Sequence, residues 1–199
     1  MRTTPINLFE YESQAQQHLS AMAWDYYISG AWDEITLQSN RAAFAQFQLR
    51  PRMLTDVSQR NLSIQLLGQP QPLPILIAPM AFQCLAHPEG EIATAKAAAL
   101  AGAVMVLSTM STQNLEVIAQ ARAQSQQWFQ LYIHRDRALT RALVERAEAA
   151  GYSALCLTVD TPVLGCRERD QRNQFTLPST LELANLVTLT DLKIPALHN

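Results

Sequence analysis

Thr158, Asp160, Arg167 and Arg169 place a hydroxyl, a carboxylate and two guanidinium groups in one short stretch of chain. They follow the apolar run Ala154-Leu155-Cys156-Leu157, and continuous apolar runs of this length suit a strand buried on both faces. Polar groups at a strand's carboxyl end stand where α/β folds place their ligands. The plain alternative is an ordinary core strand followed by a charged turn, and this stretch alone favours that alternative. The balance changes because earlier segments repeat the design. Apolar runs end in Met80-Ala81, in Ser108 and in Gln130-Leu131-Tyr132.

The elements that must position these groups come in order. Residues 8–29 have helical periodicity, with Ser29-Gly30 as the expected stop because glycine accepts the left-handed conformation. A second helix is expected from near Asp33 through Phe44, ended by Pro51. Leu62, Ile64 and Leu66 alternate before Gly68, which predicts an accessory strand and turn. Four strands are then expected at residues 73–79, 103–107, 128–132 and 154–159. Helices separate them, opened by Pro88-Glu89-Gly90-Glu91, Asn114 and Asp136 and closed by Gly102, Arg122 and Gly151. Strands alternating with single helices predict a parallel sheet. The repeat of roughly 25 residues is that of a TIM barrel, in which about 250 residues make eight units.

Composition sets the class. The chain has 199 residues, 48% hydrophobic and 16% charged, with a formal net charge of −2. That describes a globular domain with a sizeable core. Without a basic run there is no electrostatic footprint for nucleic acid, and no apolar run reaches membrane-spanning length. Cys84, Cys156 and Cys166 are odd in number and lack CxxC spacing, and the four histidines lack ligand spacing, so no disulfide framework or metal site is expected. A reducing, cytoplasmic setting is the default.

Taken in order, six motifs resemble the FMN-dependent (S)-2-hydroxy acid oxidase and dehydrogenase family, the glycolate oxidase and L-lactate oxidase-like group. They are Asp25-Tyr26-Tyr27-Ile28-Ser29-Gly30-Ala31, Arg50-Pro51-Arg52, Ile77-Ala78-Pro79-Met80-Ala81, His87-Pro88-Glu89-Gly90-Glu91, Phe129-Gln130-Leu131-Tyr132 and Leu157-Thr158-Val159-Asp160-Thr161-Pro162. Each motif is weak alone, and their shared order is specific. The resemblance implies an α/β fold of the TIM-type (β/α)8 barrel family, with the N-terminal helices and about the first four βα units present. Its divisions are an N-terminal helical segment and accessory strand at 1–72, the first half of an FMN-binding barrel at 73–178, and a partial loop or tail at 179–199.

It also implies roles. The backbone at Pro79, Met80 and Ala81 would line the flavin ring, and Ser108, Gln130 and Thr158 would bond its pyrimidine edge. Tyr26 and Arg167 would bind the substrate carboxylate, as suits a guanidinium fork, with a solvated loop charge as the alternative for Arg167. Tyr132 would face the reacting hydroxyl and act in substrate binding and catalysis. Asp160 would orient and charge a catalytic histidine. Met80 and Met110 stand where plant glycolate oxidases carry threonine and tryptophan, which favours a methyl-bearing acid such as lactate.

The histidine base, the lysine at the flavin N1 edge and the phosphate loops belong to the family's second half, and no residue here is assigned to them. His198 lacks the expected motif, and His87 reads as part of a helix start. The expectation is therefore an incomplete, inactive form of an enzyme oxidising small 2-hydroxy acids, with an undefined electron acceptor and a homo-oligomeric state when complete. Ile75, Ile77, Val106, Phe129 and Leu157 are expected to face the barrel interior, without the layer opposite them. Two alternatives stand: a non-catalytic half-barrel associating with itself or a partner chain, and another FMN-barrel enzyme such as a type 2 isopentenyl diphosphate isomerase.

Overall fold

The structure is a computed structural model and describes residues 4–187. It divides into two compact units. One comprises residues up to Val57 together with Thr161–Thr176, and the other Ser58–Asp160 with the described residues from Leu177 onward.

The first unit is helical. Where one helix was expected over 8–29 there are two, α1 (Leu8–His18) and α2 (Ala21–Ile28). Ser20 makes the break, since its hydroxyl accepts from Ala23 N at 3.2 Å and starts a new helix. The expected glycine stop is also corrected. Ser29 ends α2 in extended conformation, and Gly30 is not among the left-handed residues. Helix α3 (Ile35–Ala42) runs into a short 3-10 turn at Ala43–Gln46. The charged turn expected around Arg167 is helix α7 (Glu168–Arg172).

The second unit begins with a hairpin instead of a lone accessory strand. Strand β1 (Ile64–Leu66) pairs antiparallel with β2 (Gln69–Gln71), and Leu67 and Gly68 turn between them at φ 49° and 76°. Two positive φ angles in a two-residue loop match the right-handed twist of paired strands. Four parallel strands follow in chain order, β3 (Leu76–Ile77), β4 (Val104–Leu107), β5 (Gln127–Leu131) and β6 (Ala154–Leu157). The strand expected over 73–79 is thus only two residues long. Helices α4 (Gly90–Ala101), α5 (Leu115–Ala121) and α6 (Arg137–Ala149) connect the four. Gly102 and Gly151 close α4 and α6 at φ 69° and 79°, as expected.

The core lies between this sheet and its helices. Met105, Leu107 and Phe129 pack with Leu115, Ile118, Leu139, Leu143 and Tyr152. Burying a side chain of this size contributes about 1.5–3 kcal/mol. This placement corrects the expected barrel-interior set. Phe129 belongs to the helix side, and strand register puts Leu155 and Leu157 on the same face as Phe129 and Leu131. Likewise Ile77 pairs with Met105 of the helix-side core. Of the four strand residues in that set, Val106 alone stands on the opposite face. Leu155 and Leu157 are half exposed on the edge strand β6. The sheet's edges are β3 and β6.

Residues 184–187 form a short helix, α8 (Ala184–Val187), packed on this core through Leu186. Leu189, Leu192 and His198 lie outside the described residues. Among the described residues no helix is long and apolar enough to cross a membrane.

Candidate active site

Side chains in a parallel strand alternate between faces, so Gln130 and Thr158 turn away from the helices that hold Phe129. They meet there. The Gln130 side-chain amide donates to Thr158 Oγ1 at 2.7 Å, while its carbonyl accepts from Thr109 N at 3.1 Å and Ser108 Oγ at 3.4 Å. Ser108 Oγ in turn accepts from Met110 N at 3.1 Å, and Thr109 Oγ1 donates to the Gln130 backbone carbonyl at 2.6 Å. Ser108, Thr109 and Gln130 are all buried. The result is a continuous polar row across the carboxyl ends of β4, β5 and β6. Among the described residues, one amide hydrogen of Gln130 and the hydroxyl hydrogen of Thr158 are not donated.

Other expected residues stand beside this row with less to fix them. Asp160 follows Thr158 by two residues and is exposed, as is Tyr132 one residue past β5. Pro79 and Met80 are exposed and Ala81 half-buried. Beyond Tyr132, His134 is half-buried. Burial pushes its imidazole below its ordinary range, and Asp136 opposes that only in part.

Tyr26 and Arg167 belong to the helical unit, where they meet each other. The Arg167 guanidinium stands 4.8 Å from the Tyr26 ring centre. It donates to the carbonyls of Tyr26 and Ser29 at the end of α2, and pairs with Asp170 at 3.2 Å. A cation there complements the helix dipole, so the solvated-charge alternative for Arg167 is set aside. The other side of this cluster is Phe175, stacked on Tyr26 at 4.7 Å with the planes 14° apart. Asp25 holds Arg169 at 3.5 Å and the Asn173 amide at 2.7 Å. Burial raises the Asp170 carboxyl above its ordinary value, Arg167 opposes this, and Asp25 adds to it.

Three buried polar residues of the sheet unit were missed. Glu91 was read as a helix-dipole acid, yet its side chain is fully buried and accepts from Gln83 N, Thr112 N and Thr112 Oγ1. Its signal was legible, since Glu91 shares a helical face with the buried Ala95 and Ala98. Thr109 and Asn185 were also missed. Asn185 donates to Ser111 Oγ at 2.7 Å and accepts from Leu115 N at 2.9 Å, from 70 residues away. No local pattern announces a bond of that span.

The sequence matches the model of FMN-dependent dehydrogenase over residues 15–195. The chain belongs to the FMN-dependent dehydrogenase family. It is 69% identical to an L-lactate oxidase of Nostoc sp., over 97% of this chain and 54% of that protein. To glycolate oxidase 3 of Oryza sativa subsp. indica it is 51% identical, over 92% of this chain and 50% of that protein. Among solved structures, a tyrosine-to-phenylalanine mutant of mandelate oxidase with (S)-mandelic acid matches at TM-score 0.87 and 40% identity. That match covers 92% of this chain and 54% of the mandelate oxidase. The same mutant with a C4a-OH-FMN adduct matches at TM-score 0.84. This FMN-dependent dehydrogenase chain spans about half the length of the curated relatives it matches. Its expected fold class stands: α/β, of the TIM-barrel family, with four parallel strands among the described residues.

Proposed function

We propose that this chain supplies the flavin-edge part of an FMN-dependent 2-hydroxy acid oxidase, with lactate as the preferred class of substrate. The observation that carries this reading is the hydrogen-bonded row of buried Ser108 and Gln130 with half-buried Thr158 at the ends of three adjacent strands. Its chemistry fits the group. A pyrimidine edge alternates donors and acceptors in one plane, and the row offers an amide N–H and hydroxyls on a rigid sheet. FMN, when bound, accepts the two electrons of hydroxy-acid oxidation.

In this reading the Pro79-Met80-Ala81 backbone lies along the ring. Tyr132 holds the reacting hydroxyl, and Asp160 fixes and charges a histidine base. Tyr26 and Arg167 bind the carboxylate. The identity of 69% to an L-lactate oxidase against 51% to a glycolate oxidase, with Met80 and Met110 in the sequence, favours lactate. The base and the phosphate grip are assigned to the half of the relatives that these 199 residues do not match. We place the enzyme in the cytoplasm, with oxygen or another acceptor, and as a homo-oligomer when complete.

The test is flavin titration followed by complementation. The chain by itself should bind FMN weakly and show no turnover. Co-expressed with the C-terminal half of an L-lactate oxidase, it should become yellow and oxidise lactate faster than glycolate. In that enzyme Tyr26→Phe should mainly raise KM and Asp160→Ala mainly lower kcat, separable by stopped-flow flavin reduction. A yellow, folded complex whose flavin lactate does not reduce would overturn the proposal.

A further inference from the structure

We infer that Glu91 and Gln83 form a positioning pair that fixes the loop after β3 against the loop after β4, and so sets the geometry of the flavin edge. The inference rests on the site reading above and assigns residues that it did not use.

Three observations support it. The Glu91 carboxylate is fully buried, yet it spends its acceptors on other segments and not on its own helix. It accepts from Gln83 N at 3.1 Å on one side, and from Thr112 N at 2.8 Å and Thr112 Oγ1 at 2.8–2.9 Å on the other. Gln83 is itself buried and passes the constraint on. Its amide donates to the Met80 carbonyl at 3.4 Å and its carbonyl accepts from Thr94 Oγ1 at 2.6 Å. On the other loop, Ser111 N donates to the Ser108 carbonyl at 3.2 Å, and Met110 O accepts from Phe82 N at 3.2 Å. Chains of bonds thus run from one carboxylate to Met80, expected along the ring, and to Ser108, at its edge.

The packing leaves little room for another arrangement. Gly90, beside Glu91, has φ 41°, and a Cβ there would sit 2.4 Å from Cys84 Sγ and 3.0 Å from Cys84 N. The 3-10 turn at Gln83–Leu85 is therefore pressed directly on the start of α4. A buried acceptor leaves its donors stranded when removed. A carboxylate in this place holds two loops that have no strand pairing between them beyond the two register pairs of β3 and β4.

The test compares the 199-residue chain with Glu91→Gln and Gln83→Met, titrating free FMN by flavin fluorescence and following amide exchange. Glu91→Gln should speed exchange at the Gln83 and Thr112 amides by about tenfold or more while leaving Val106 and Phe129 unchanged. It should weaken FMN binding by about tenfold. Gln83→Met keeps the backbone bonds to Glu91, so it should weaken FMN by about threefold without altering Thr112 exchange. It also serves as the test if Glu91→Gln does not fold. Unchanged exchange in Glu91→Gln overturns the inference. Faster exchange with unchanged FMN affinity also overturns it, since the role is then structural only. If the wild-type chain binds FMN too weakly to titrate, the same variants are compared in the complemented enzyme; a folded complemented enzyme that binds no FMN overturns the site reading itself, which is visible before any variant is made.

Discussion

The two units hold their candidate residues by different physics. In the sheet unit, Gln130 sits on a strand whose neighbours Phe129 and Leu131 are locked in a shared apolar core, so the polar row takes its position from burial. In the helical unit the sole buried apolar residue is Ala23 among those described. Tyr26 and Arg167 are held instead by ring stacking, helix-end carbonyls and ion pairs around Asp25, Asp170 and Glu34. A core excludes water and resists salt and pH, whereas half-exposed ion pairs are screened and titrate.

The largest test of that contrast is Phe129→Ala. It should destabilise the sheet unit by about 3–5 kcal/mol, read from the urea midpoint, while the near-ultraviolet signal of Tyr26 and Phe175 persists. A single shared transition would break the comparison. Next is Gln130→Leu, which strands Thr109 N and should cost about 2 kcal/mol with loss of FMN affinity in titration. In the helical unit, Arg167→Ala should cost only about 1 kcal/mol, seen as a changed tyrosine dichroism that responds to added salt. Arg167→Lys should restore little of it, because a point charge cannot serve both carbonyls and the carboxylate.

The smallest effect is in pH, and its sign differs between units. Arg146 holds the Glu116 carboxyl below its ordinary 4.5, outweighing burial, so the stability it adds is lost as pH falls through the folded value. Burial lowers His134 from 6.5, so acid below that value also weakens the sheet unit. Asp170 is raised above 3.8, so the folded helical unit binds its proton more readily than the unfolded chain. That unit should gain from this group as pH falls towards 3.8. Urea midpoints of each unit between about pH 6 and 4 read the difference, and parallel slopes would remove it.

Much of the site was legible because it depends on local order. A strand's carboxyl end is readable from an apolar run and the polar residues near its end, which placed Ser108, Gln130 and Thr158 at strand ends, while their expected roles came from the family resemblance. Glycines 102 and 151 were readable as helix ends because their conformation is a property of one residue. The face of each strand was not. Phe129 and Val106 look alike as apolar strand residues, and the helices packed against the sheet decide which of them enters the core.

What the sequence by itself determined, then, is the order of βα units and the chemistry at their ends, both carried by neighbours in the chain. Tertiary structure alone decided that Glu91 joins two loops, that Asn185 reaches Leu115, and that Arg167 lies over Tyr26, 141 residues away. Those bonds exist because buried polar groups must find partners wherever packing brings them, and nothing in the spacing of a single segment encodes which distant partner that will be.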